Sequence, residues 1–106
     1  MKAKYVIITP AHNEAQFIRD TIESVAAQKM LPQEWVIVSD NSTDDTDDIV
    51  LQYTKLYPFI KFRRNERSDV KAFASKVHAF KVGYDSLTTK NYDYLANIDA
   101  DISFGE

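Results

Sequence analysis

Asp99 and Asp101 stand one residue apart, directly after the apolar run at 94–98. Carboxylates this close repel a phosphate, but a divalent cation between them turns that repulsion into favourable contacts. A hard Mg²⁺ or Mn²⁺ shared with two phosphate oxygens is the simplest ligand that satisfies the pair. Taken alone, the two aspartates would serve equally well as a solvated turn. Two other polar segments follow apolar runs: Pro10-Ala11-His12-Asn13-Glu14 after 5–9, and Asp40-Asn41-Ser42-Thr43 after 35–38. His12 reads either as a turn residue or as a ring that stacks on a base. Asp40 sits at a strand end, where a carboxylate can meet a ligand. Asp44, Asp45, Asp47 and Asp48 read instead as helix-start residues that complement the dipole, with Ser42 or Thr43 as N-cap. A calcium loop is excluded, because its sixth position would be Asp45 instead of Gly and its twelfth Leu51 instead of Glu.

These residues need a scaffold that brings distant segments together. The run at 5–9 is short, apolar and closed by Pro10, as for a strand buried on both faces. Ile18, Ile22, Val25 and Ala26 then fall on one helical face, in a helix expected over 14–28 with Asn13 as N-cap. A strand at 35–38 precedes a second helix with Ile49, Tyr53, Leu56 and Tyr57 on its apolar face. A short strand at 59–62 and a charged connection at 63–69 lead to a third helix. Val70, Phe73, Ala74, Val77 and Tyr84 mark that helix, which runs to about Ser86. The strand at 94–98 completes the series. The alternation predicts an α/β, Rossmann-like fold, with a mainly parallel sheet of about four strands and helices on both faces. In such a sheet ligands bind outside the carboxyl ends of the strands, where strand order reverses. All three polar segments follow strands, so they are expected to gather there if the first and fourth strands are neighbours.

Composition narrows the chemistry. The 106 residues suffice for one domain, and 44% of them are hydrophobic, too many for a disordered chain. With 16 acidic and 13 basic residues there is no basic excess to displace counterions, so nucleic acid is not the expected partner. The absence of cysteine excludes disulfides, thiolate catalysis and cysteine-ligated zinc, and suits the cytoplasm. No apolar run approaches the roughly 20 residues of a membrane span. Only two glycines occur, Gly83 and Gly105. Neither a G-x-G-x-x-G dinucleotide loop nor a P-loop is therefore present. A diphosphate must be held by other means, such as a metal ion.

The stretches Val6-Ile7-Ile8-Thr9-Pro10-Ala11-His12-Asn13-Glu14, Val38-Ser39-Asp40-Asn41-Ser42-Thr43-Asp44 and Ile98-Asp99-Ala100-Asp101 together resemble the family 2 glycosyltransferases, which use the glycosyltransferase A fold. The resemblance spans nearly the whole chain. It implies that Pro10, Ala11 and His12 lie against the base and ribose, with Glu14 also reaching the nucleoside. It implies that Asp40 accepts a hydrogen bond from a base ring nitrogen. Asp99 and Asp101 correspond to the D-x-D motif, Asp101 as the direct metal ligand and Asp99 nearer the ribose. Ser75-Lys76 resembles the family's Gly-Lys, placing Lys76 toward the nucleotide or its phosphates. The implied partner is a nucleoside-diphosphate sugar, a UDP-sugar by default, with Mn²⁺ or Mg²⁺ and an acceptor of unknown identity. Ser39-Asp40 departs from the usual two acidic residues, and Asn41 replaces a common Gly; Asn tolerates the left-handed conformation such a turn needs.

The family's acceptor-side residues lie downstream of the D-x-D. The carboxylate that activates the acceptor hydroxyl is therefore expected beyond Glu106, and no catalytic residue is assigned within the chain. The expectation is the donor-binding half of a glycosyltransferase domain, residues 1–106, truncated after the D-x-D and inactive alone. The full-length protein is then cytoplasmic or membrane-associated. Two other readings stay open. Ile98-Asp99-Ala100-Asp101-Ile102-Ser103 is also similar to the strand-end motif of haloacid-dehalogenase phosphatases, although that motif normally follows the first strand. A non-catalytic nucleotide-binding fragment, self-associating through an open sheet edge, is the other. Arg63, Arg64 and Arg67 form either a phosphate-attracting patch or an ordinary solvated loop.

Overall fold

The computed structural model describes residues 4–66 and 72–98, with side chains from residue 77 onward in the second segment. Its elements alternate in chain order: β1 (Tyr5–Ala11), α1 (Ile18–Ala26), β2 (Glu34–Asp40), α2 (Thr46–Leu56), β3 (Ile60–Asn65), α3 (Ala72–Ser86) and β4 (Tyr94–Asn97). The sheet is parallel throughout, in the order β3-β2-β1-β4. No helix among the described residues is long and apolar enough to cross a membrane.

Each strand sends alternate side chains to opposite faces. On one face Ile7, Trp35, Ile37 and Ile60 pack against Ile18, Ile22 and Val25 of α1 and Val50 and Tyr53 of α2. On the other, Val6, Ile8, Val36 and Val38 pack against Ala79 of α3 and Leu87 beyond it. β2 is buried along its whole length, which explains why its central run Trp35-Val36-Ile37-Val38 is apolar without alternation. Burying each such Val or Ile contributes about 1.5–3 kcal/mol. The buried indole of Trp35 donates through Nε1 to Thr9 Oγ1 at 2.9 Å, so its polar atom is satisfied.

Gly83 sets how closely α3 approaches the sheet. A Cβ there would lie 2.6 Å from Ile8 Cγ2 and 3.1 Å from Val38 Cγ2. Both neighbours are fully buried and cannot swing aside.

Several elements depart from the sequence expectation. β1 runs through Pro10, which pairs in register with Val38. Ile8 O accepts from Ile98 N, so even-numbered residues of β1 point their backbone toward β4; the N–H that Pro10 lacks would face away from β2. β3 continues to Asn65, absorbing the first three of the seven residues of the charged connection. In α2 Leu56 is 66% exposed and Val50 is buried in its place. In α3 Val77 and Tyr84 are about half exposed, at 54% and 50%, while Ala79 and Gly83 face the sheet. Val77 and Tyr84 are therefore not on the buried side of α3, where Ala79 and Gly83 make the close approach and Phe80 and Val82 pack beside them. Val70 and the side chains of Phe73 and Ala74 lie outside the described residues.

Candidate functional site

Strand order reverses between β1 and β4, which pair from Tyr5↔Tyr94 to Ile8↔Asn97. That reversal marks the crevice expected to receive a ligand. The segments after β1 and β2 meet at this edge and are fastened together. Asn13 has φ 53°, a left-handed conformation that Asn accepts at low cost. The resulting turn aims three successive amides at the second segment. Asn13 N donates to Ser42 Oγ at 3.1 Å, Glu14 N to Thr46 Oγ1 at 2.9 Å and Ala15 N to Asp44 Oδ2 at 3.2 Å.

The second segment answers through the Asn13 side chain. Its Oδ1 accepts from Thr43 N at 2.7 Å and Asp44 N at 3.2 Å. Asn13 is therefore not the N-cap of α1. Its amides and those of Glu14 and Ala15 are directed across to the other loop, and regular helix begins only at Ile18 after a turn closed on Glu14 O. Nor do Ser42 and Thr43 cap α2. Asp45 holds the N-cap position without a side-chain cap bond, and Asp44 before it serves the first turn, its Oδ1 accepting from Thr46 N at 2.9 Å and Thr46 Oγ1 at 2.5 Å. Desolvation would raise the Asp44 pKa, but the bonds from Thr46 and Ala15 outweigh it and hold the carboxyl below its ordinary value.

His12 and Asp40 are brought together. The His12 ring nitrogen Nδ1 lies 2.6 Å from the Asp40 carbonyl oxygen. A carbonyl can only accept, so Nδ1 carries the proton. Nε2 lies 3.5 Å from the Asn13 side-chain nitrogen. By strand alternation Pro10, His12 and Asp40 belong to the α3 side of the sheet. Asp40 is only 5% exposed, and its Oδ1 accepts from Asn65 Nδ2 at 2.8 Å. Asn41 follows with φ 57°, so the left-handed turn foreseen for Asn in place of Gly is present.

Ala11 points to the opposite face and is buried, so its backbone is what it can offer a ligand. Glu14 is half-buried beside the same turn. The helix carrying Lys76 begins at this edge, but the Lys76 side chain, Asp99 and Asp101 lie outside the described residues. Arg67 and Glu106, the residue beyond which the acceptor base is expected, lie outside them too. Among the described residues no group of three or more His, Asp or Glu is placed to hold a metal. The arginine patch is partly neutralised: Arg64 pairs with Asp47 at 2.6 Å and Glu66 at 2.8 Å. Sequence reasoning missed Asn65, which read as part of a charged connection. Only the register Asp40↔Asn65 reveals it.

The order and edge chemistry agree with a family-level match. The glycosyl transferase family 2 model matches residues 6–105. The chain belongs to glycosyl transferase family 2. This family 2 chain is 29% identical over 90 residues to the poly-beta-1,6-N-acetyl-D-glucosamine synthase of Staphylococcus epidermidis, covering 85% of the chain and 20% of that protein. It superimposes on S. aureus TarS 1–349 in complex with UDP with a TM-score of 0.72 and 25% identity, covering 92% of this chain and 27% of that one. The mannosyltransferase PcManGT of Pyrobaculum calidifontis, in complex with GDP-Man and Mn²⁺, matches over 100% of this chain and 30% of its own. The TM-score there is 0.79 at 22% identity, a likeness of fold. The four parallel strands and three helices thus form part of a glycosyltransferase A fold. The chain spans about a fifth of the curated relative's length.

Proposed function

We propose that these 106 residues form the donor-binding half of a glycosyltransferase that moves a sugar from a nucleoside-diphosphate sugar to an acceptor hydroxyl. The observation that carries this reading is the meeting of His12 and Asp40 beside the β1–β4 reversal, on a chain of this family. Pro10, His12 and the Asp40 carboxylate would line the base and ribose, with the backbone of Ala11 and with Glu14 at the turn. Lys76 would face the phosphates. The TarS complexes with UDP and UDP-GlcNAc, at 25% and 26% identity, favour a uridine nucleotide.

A divalent cation fits the donor set, since Asp99 and Asp101 offer hard carboxylate oxygens one residue apart. Asp101 would hold Mn²⁺ or Mg²⁺ directly, with Asp99 nearer the ribose. When bound, the ion neutralises charge gathering on the departing diphosphate. The amides of 13–15 already donate to side chains of the neighbouring loop, which leaves phosphate binding to the cation and Lys76. No residue up to Glu106 is assigned to deprotonating the acceptor, and the purified chain is expected to bind nucleotide without steady sugar transfer.

Calorimetric titration with UDP and GDP, with and without Mn²⁺, tests this reading. UDP should bind, and Mn²⁺ should tighten it. Asp40→Ala should weaken it about 10- to 100-fold, the equivalent of a hydrogen bond to a charged group. Asp101→Asn should remove the Mn²⁺ effect. Absent or metal-independent binding of every nucleotide would sink the proposal, and steady transfer by the purified chain would sink its last clause.

A further inference from the structure

Asn65 ends β3 directly opposite Asp40, and the two side chains share one face of the sheet. Its Nδ2 donates to Asp40 Oδ1 at 2.8 Å, and its backbone oxygen accepts from Asn41 N at 2.7 Å. One residue therefore grips both the carboxylate and the left-handed turn that follows it. Asn65 is itself braced. On the opposite face its neighbour Arg64 is bound to Asp47 at 2.6 Å, and Asp47 accepts from Ser39 Oγ, the residue before Asp40. Ser39 and Asp40 are thus each tied to the end of β3, from opposite faces.

We propose that Asn65 is a positioning residue for base recognition, holding the Asp40 carboxylate in the orientation that accepts a ring N–H. This rests on the donor-binding reading above. The residue type suits the task. A neutral amide fixes the carboxylate's rotamer and leaves its charge in place, whereas Arg or Lys would neutralise it. A fixed anionic acceptor distinguishes bases by their ring nitrogen. Uracil presents N3–H to it, whereas cytosine presents an N3 lone pair that the carboxylate repels. Loosening Asp40 should therefore erode preference for UDP over CDP, not nucleotide affinity in general.

The test is a double-mutant cycle on the full chain, with UDP and CDP dissociation constants as readout and the fluorescence of buried Trp35 as a check on folding. Asn65→Ala should raise the UDP constant about 2- to 10-fold, the range for one hydrogen bond, and leave the CDP constant unchanged or lowered. Asp40→Ala should lose more, and the double variant should match Asp40→Ala alone. The near-isosteric Asn65→Leu, which removes the donor without adding a charge beside Asp40, should reproduce the lost preference if the alanine variant folds poorly. Equal weakening of UDP and CDP by Asn65→Ala, multiplicative losses in the double variant, or wild-type preference in Asn65→Leu would each overturn the assignment. If Asp40→Ala leaves UDP affinity intact, the donor-binding reading itself fails and takes this one with it.

Discussion

Asn13 carries out capping chemistry for a segment 30 residues away. Its type and position suggested an N-cap of α1, and its oxygen does accept backbone amides, but those of Thr43 and Asp44. The sequence shows that such a side chain seeks amides; it cannot show which amides come within reach. Asn13→Ala should cost about 2–3 kcal/mol, combining a left-handed backbone penalty with lost hydrogen bonds. Asn13→Gly relieves the backbone part only and should cost less. Urea denaturation of both variants measures the difference, and equal losses would show that the backbone conformation contributes nothing. Asp40 and His12 were legible as site candidates because each closes an apolar run. Asn65 was not, because its significance lies in the residue across the sheet from it.

At the scale of elements, order and direction were readable, as was most of the α2 face (Ile49, Tyr53 and Tyr57), while Leu56 of α2 and Val77 and Tyr84 of α3 were not. Apolar periodicity assumes that large side chains mark the buried side. In α3 the closest approach is made by Ala79 and Gly83, with Phe80 and Val82 packed beside them, so Val77 and Tyr84 misled. Gly83→Ala should test that contact. Alanine gains up to about 1 kcal/mol of helix propensity, but overpacking against Ile8 and Val38 costs about 1–3 kcal/mol. A lowered melting temperature is expected, and an unchanged or raised one would mean that α3 can retreat freely.

The connection from α3 to β4 is held by Glu34, at the edge of the sheet opposite the site. Its carboxylate, in a residue 1% exposed, accepts from Thr88 N at 2.9 Å, Thr88 Oγ1 at 3.1 Å and Thr89 N at 2.7 Å. Burial alone would raise its pKa, yet the bonds from Thr89 and Thr88 outweigh burial and hold it below the ordinary carboxylate value. A carboxyl depressed in the folded state contributes stability above its unfolded pKa and loses it as pH falls through the folded value. Glu34→Gln should therefore be less stable than the parent at neutral pH, by about 1–3 kcal/mol. The gap should narrow below about pH 4. Denaturation midpoints at both pH values check this, and a constant gap would rule out the ionised carboxylate as the cause.

For the molecule as a whole, the alternation of strands and helices was enough to foresee a parallel sheet covered on both faces, because right-handed crossovers leave few alternatives. Alternation leaves open which strands are neighbours; the order β3-β2-β1-β4 sets β1 beside β4, and the segments after β1 and β2 meet at one edge. β2 belongs to both cores, sending Trp35 and Ile37 to one and Val36 and Val38 to the other. The two faces are therefore expected to melt together. Trp35 fluorescence and far-ultraviolet circular dichroism should trace a single transition in urea. Separate midpoints would mean that α3 leaves the sheet while the opposite face persists.

The clasp between the segments after β1 and β2 also limits how such a surface can diverge. Each turn supplies the acceptors for the other's amides, so inserting or deleting a residue in one strands the bonding groups of its counterpart. On the proposed donor-binding reading, preference at this wall should consequently shift through point exchanges at fixed length, or through paired changes in both turns, and seldom through remodelling either turn by itself.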